Sequence, residues 1–91
     1  YKLNKYSEAV DYFAKALAAE TPTSHLKSDA TYNLANALVR RGEAAQSKDD
    51  KKADWKNAIS HYETVIQEQP ENKNAIENRD IVKKLLEELE K

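Results

Sequence analysis

The chain contains no cysteine, one glycine and two prolines among 91 residues. Without cysteine there is neither a disulfide framework nor a thiolate metal site, although the cellular compartment stays open. So few breakers leave little room for tight hairpins and ample room for long helices. Charge of one sign is lacking too: 15 Lys and Arg face 16 Asp and Glu, for a net charge of −1. Both signs are interspersed in every segment, so the basic footprint of a nucleic-acid binder is absent. No run of about eighteen apolar residues occurs, and nothing here reads as a membrane span. Signatures of catalysis are missing as well: there is no HExxH, no Gly-rich loop and no cysteine nucleophile. His25 and His61 have no Ser, Cys or second His at a telling spacing and read as solvated side chains. Asp49-Asp50 and Glu87-Glu88 each lie beside lysines and read as solvated charge runs. No cofactor is implied.

What the chain does contain is a pattern that occurs twice. The first copy is Tyr6-Ser7-Glu8-Ala9-Val10-Asp11-Tyr12-Phe13-Ala14-Lys15-Ala16-Leu17, and the second is Trp55-Lys56-Asn57-Ala58-Ile59-Ser60-His61-Tyr62-Glu63-Thr64-Val65-Ile66. Each opens on an aromatic, has Ala three residues on, an aromatic four later and a small or β-branched residue three after that. Each then runs into a proline, Pro22 or Pro70. A recurring unit with polar surface between its apolar positions cannot bury its face alone and must stack on neighbours. The aromatics therefore read as core.

The periodicity places four helices in one small all-α domain spanning residues 1–91. The first covers about 6–20, with its stripe at 6, 9, 10, 13, 16 and 17, Ser7 or Asn4 as N-cap, and Thr21-Pro22-Thr23-Ser24 as its stop. The second covers 24–41, with Arg40 and Arg41 in its last turn and Gly42 as a left-handed C-cap. Residues 43–53 lack an apolar stripe and read as a solvated insertion, with partial helix left open. The third helix covers 54–69, capped by Asp49, Asp50 or Asp54. The fourth covers 72–90, with Ala75, Ile76, Ile81, Val82, Leu85, Leu86 and Leu89 as its stripe.

These residues resemble the tetratricopeptide repeat, a unit of helix A, turn and helix B. Tyr6, Ala9, Phe13, Ala16 and Pro22, and again Trp55, Ala58, Tyr62, Val65 and Pro70, follow its helix B signature. Asn33-Leu34-Ala35, Leu38 and Gly42 follow its helix A signature. On this resemblance the chain is an antiparallel helix-hairpin stack, an α-solenoid segment in the order B, A, B, A. Tyr1-Lys2-Leu3-Asn4 looks like the last turn of a preceding helix A. The fourth helix has Arg79-Asp80 where helix A carries Leu and a small residue, which reads as a solvating terminal cap. The stretch from Ala75 to Glu88 also looks like the end of the repeat segments in bacterial aerotolerance (Bat-type) proteins.

The resemblance implies a scaffold that binds a protein or peptide in the groove lined by its A helices. The groove candidates are Tyr32, Asn33, Asn36, Val39 and Arg40 on the second helix and Asn74, Glu77, Asn78 and Ile81 on the fourth. An Asn presents two donors and an acceptor to a peptide bond without charge selectivity. Asn36 and Asn78 match positions of the family's carboxylate clamp, but Tyr32 stands where the clamp has its first Lys. The alternative is a self-associating structural module. The stripe of the first helix is wide enough to need partners on two sides, so Tyr6, Val10, Phe13 and Leu17 are expected to stay partly exposed and to meet another copy.

Overall fold

The computed structural model describes residues 2–18 and 24–91, with the side chains of residues 2, 3 and 24–26 outside that set. The expected stop of the first helix around Pro22 and the side chain of His25 therefore lie outside the described residues. Four helices account for nearly all of the described chain: α1 (Lys2–Ala18), α2 (Ser24–Ala44), α3 (Lys48–Glu68) and α4 (Lys73–Glu90). There is no strand among the described residues, and the architecture is an all-α stack of helix hairpins. Packing is nearest-neighbour, α1 on α2, α2 on α3 and α3 on α4, in a slab of 39 × 29 × 15 Å.

Local chemistry sets the boundaries. Ser47 caps α3 from an extended backbone, its hydroxyl accepting from the Asp50 amide at 3.0 Å, and Asp49 and Asp50 complement the helix dipole in the first turn. At its far end the Gln69 amide closes on the Val65 carbonyl at 2.8 Å. Pro70 follows at once and cannot continue the helix. Asn72 then caps α4, accepting from the Ala75 amide at 3.0 Å while donating to Gln69 Oε1 at 2.9 Å.

The corner between α2 and α3 differs from the sequence expectation. Residues 43–53 are mostly exposed, as expected, but they form no separate insertion: α2 continues to Ala44, α3 begins at Lys48, and the turn between them is short. Ala45 is buried within it. Gly42 is not a left-handed cap, since no glycine has positive φ; it lies inside α2, buried against Trp55. The Gly42 carbonyl accepts from the Ala45 amide at 3.2 Å, and α3 supplies further donors to the end of α2. Lys51 Nζ donates to Gly42 O at 3.3 Å and to Glu43 O at 3.0 Å and lies 5.8 Å from the Trp55 ring centroid. Beside it, Arg41 grips Asp54 through two bonds of 2.9 Å. Asp54, only 8% exposed, is thus a buried anchor and not a cap. Its hydrogen bonds to Arg41, followed by its charge, raise the guanidinium pKa further.

At the other end, α1 begins at Lys2, so neither Ser7 nor Asn4 caps it. Residues 2–4 are continuous with it and are not the end of a separate helix.

The core is shared by three helices: Leu34, Ala35 and Leu38 of α2, Trp55, Ala58, Tyr62 and Val65 of α3, and Ala75 and Val82 of α4. Among the described residues α1 contributes no buried side chain; Val10, Phe13 and Leu17 pack against the cluster while remaining partly exposed. Asp80 is exposed on α4 and bonded to its neighbour Arg79 at 3.1 Å.

Candidate protein-interaction groove

A cleft of about 380 Å³ runs between α2 and α4, with α3 beneath it. Asn36, Val39 and Arg40 come from α2, Asn78, Ile81 and Val82 from α4, and Tyr62 of α3 reaches up between them. The spacing of four along a helix aligns Tyr32 with Asn36 on one side and Asn78 with Val82 on the other. Their lateral separation is set by small core residues, Ala35, Ala58 and Ala75, each 0% exposed, that let the three helices approach closely.

A hydrogen-bond network orients the polar wall. The Tyr62 hydroxyl donates to Asn36 Oδ1. Asn78 Nδ2 donates to the same oxygen at 3.2 Å and to the Tyr32 hydroxyl at 3.0 Å. The Tyr32 and Tyr62 rings meet edge to face, 5.9 Å apart. Burial pushes the Tyr62 phenol up to about 12, with Tyr32 adding to the effect and the Asn78 amide opposing it. Tyr62 is therefore a neutral donor across the physiological range, and it fixes which end of the Asn36 amide points inward.

The consequence lies in what the network leaves over. Asn36 Oδ1 has accepted two bonds and Asn78 Nδ2 has donated two. The free ends are Asn36 Nδ2, a donor, and Asn78 Oδ1, an acceptor, neither bonded among the described residues. A donor and an acceptor are what the backbone of an extended peptide calls for, since the N–H and C=O of one residue point to the same side of the strand. Arg40 and Glu43 flank this pair, and neither forms an ion pair among the described residues. Ile81, 57% exposed, gives the wall an apolar surface facing water.

Of the residues expected from sequence, Tyr32, Asn36 and Asn78 come together in the network, and Asn36, Arg40, Val39, Asn78 and Ile81 line the cleft. Asn33, Asn74 and Glu77 are exposed and stand outside its lining. Tyr62, Val82 and Glu43 were not among the expected groove residues. Tyr62 reads from sequence as core, which it is, at 1% exposed. The signal for its second role is that Tyr62 stands where the first copy has Phe13. A hydroxyl added at a buried position needs a partner nearby.

The proposed association residues of α1 are placed differently. Tyr6, Val10, Phe13 and Leu17 are all half-buried, the last three against the core. The most exposed aromatic of the helix is Tyr12, at 70%, stacked edge-on against Phe13 at 5.4 Å. His61, the matching residue of the second copy, is half-buried, and burial lowers its pKa.

No helix among the described residues is long and apolar enough to cross a membrane, and no cluster of His, Cys, Asp or Glu among them could hold a metal. No protein-family model matches the chain, and no curated protein or solved structure matches it.

Proposed function

We propose that the chain is a tetratricopeptide-type interaction module that holds an extended segment of a partner protein in the α2–α4 cleft. The observation that carries this reading is the pair of amide ends that the network leaves over, Asn36 Nδ2 and Asn78 Oδ1, beside the cleft. Donors and acceptors fixed before binding lose little entropy when a peptide unit meets them. The exposed Ile81 beside Val39 and Val82 supplies an adjacent apolar seat. Self-association through α1 has less behind it, because Val10, Phe13 and Leu17 already turn toward the core.

The test is selection of displayed random peptides on the intact chain, followed by affinity measurement on two variants. Ile81→Glu alters an exposed side chain and should leave the melting temperature unchanged while weakening selected peptides at least about tenfold, since a carboxylate replaces the apolar seat. Asn78→Leu removes the free acceptor and should weaken them comparably. Selected peptides that bind both variants with the affinity of the parent chain refute the cleft as the site.

A further inference from the structure

Cations around the end of α2 find partners within the chain. Arg41 holds Asp54 through two bonds, Lys51 lies on the Gly42 and Glu43 carbonyls, and Lys52 reaches Glu90 at 3.2 Å. On α4, Arg79 bonds Asp80 at 3.1 Å and Lys83 reaches Glu63 at 3.8 Å. The two charged residues that line the cleft differ. Arg40 and Glu43 stand three residues apart on α2, a spacing at which opposite charges meet on a helix surface. Yet neither side chain pairs with the other, or with any further group among the described residues. Both are exposed to solvent at the cleft.

We propose, resting on the reading of the cleft as a peptide site, that Arg40 and Glu43 set its specificity. They select an extended segment that carries an acidic side chain opposite Arg40 and a basic one opposite Glu43. The helix geometry orders these charges. At about 1.5 Å per residue, Arg40 stands about 6 Å beyond Asn36 along α2, and Glu43 about 10 Å beyond it. An extended chain advances about 3.3 Å per residue. Counted from the residue whose backbone meets Asn36 and Asn78, the acidic residue is therefore about two positions on and the basic residue about three. One cation and one anion give the lining no net charge. The cleft thus reads the order of two charges and not their sum. An exchanged order sets like charge against like at both positions, and a segment of one sign gains at one position what it loses at the other.

The experiment starts from peptides selected on the intact chain. One of them is remade with its acidic and basic residues exchanged, so that composition and net charge stay the same. The exchange should weaken binding about three- to tenfold at low salt, since two exposed ion pairs are lost. The difference should shrink at about 0.5 M salt, where exposed charges are screened. The double variant Arg40→Glu with Glu43→Arg changes two exposed side chains and preserves the net charge; it should prefer the exchanged peptide. Should that variant fail to fold, the exchanged peptide on the parent chain decides alone. Selected peptides that lose binding on Ile81→Glu but lack this charge order, or tolerate its exchange, overturn the role of Arg40 and Glu43 and leave the cleft as the site. So does a folded double variant that keeps the parent's preference. Peptides that bind Ile81→Glu and Asn78→Leu with parental affinity remove the cleft itself, and the charge reading with it.

Discussion

Gly42→Ala separates two roles for the single glycine. In a helix interior the substitution should stabilise by about 1 kcal/mol through backbone propensity. Here a Cβ on residue 42 would lie 2.5 Å from Trp55 Nε1, 2.7 Å from Trp55 Cδ1 and 3.3 Å from Asp54 Cβ. Neither neighbour yields readily. The indole donates to the Val39 carbonyl at 3.2 Å, and Asp54 is held by the two Arg41 bonds of 2.9 Å. Overpacking of this kind costs about 1–3 kcal/mol, and a displaced indole bond adds about 1 kcal/mol. The net expectation is a loss of about 1–3 kcal/mol, or a fall in melting temperature of about 4–8 °C per kcal/mol for a domain of this size. Denaturation followed by far-ultraviolet circular dichroism measures it. The sole tryptophan gives an independent fluorescence readout at the site itself. A left-handed cap would also lose stability on this substitution, so the decisive comparison is the Trp55→Leu background. There the clash is relieved, and Gly42→Ala should become neutral or stabilising. An equal cost in both backgrounds, or a gain in the parent chain, refutes the close-approach argument.

Three further outcomes test the same structure. Deleting Ala45 to Lys52 should abolish cooperative unfolding, because it removes the buried Ala45, the Ser47 cap and the Lys51 ammonium over the end of α2; a deletion variant with the parent's unfolding midpoint would show the corner to be dispensable. Arg41→Ala should cost about 3 kcal/mol, the low end of the range for orphaning a buried charge, because the Arg41 side chain is itself 28% exposed. Replacing both partners, Arg41→Leu with Asp54→Leu, should recover most of that loss in urea titrations. Tyr62 has its folded pKa raised from 10.0 to about 12. The stability it contributes is therefore fully present below pH 10.0 and is lost as pH rises toward about 12, by no more than about 3 kcal/mol. Against Tyr62→Phe, the parent's stability should converge across that window, and a difference independent of pH would contradict the buried phenol.

The four helices were legible in the sequence because apolar residues recur at helical spacing against few breakers, and the start of α4 was legible because Asn72 follows Pro70. The α2–α3 corner was not, and the reason is physical. The helix ends there are held by polar interactions: a bidentate ion pair, a lysine on carbonyls and a serine cap. None of these leaves an apolar stripe to be counted. Gly42 was ambiguous because glycine serves a stop and a close approach equally well. In the groove, Tyr32, Asn36 and Asn78 were legible as one polar face per helix. Asn33 and Asn74 share that general direction, yet the lining stops short of them. Only the lateral distance between α2 and α4 decides which amides meet, and no periodicity encodes that distance.

The cleft and the α1 face differ in how firmly they are built. The cleft spans α2, α3 and α4, which share every residue of the buried core among the described residues. Its amides therefore sit beside the buried core, Asn36 on the central α2 and Asn78 on α4, which packs on α3 and buries Ala75 and Val82. By contrast, α1 packs on α2 without burying a side chain of its own among the described residues, and in a nearest-neighbour stack such a terminal element opens at low free energy. Cover on α1 would stabilise that element alone, and its effect could reach the cleft only through α2. Because α2 is already fixed on its other side by Trp55, Asp54 and Tyr62, little of the added stability has anywhere to go. Covering α1 should accordingly leave affinity at the cleft almost unchanged, with coupling well below the roughly 1–3 kcal/mol typical of allosteric sites.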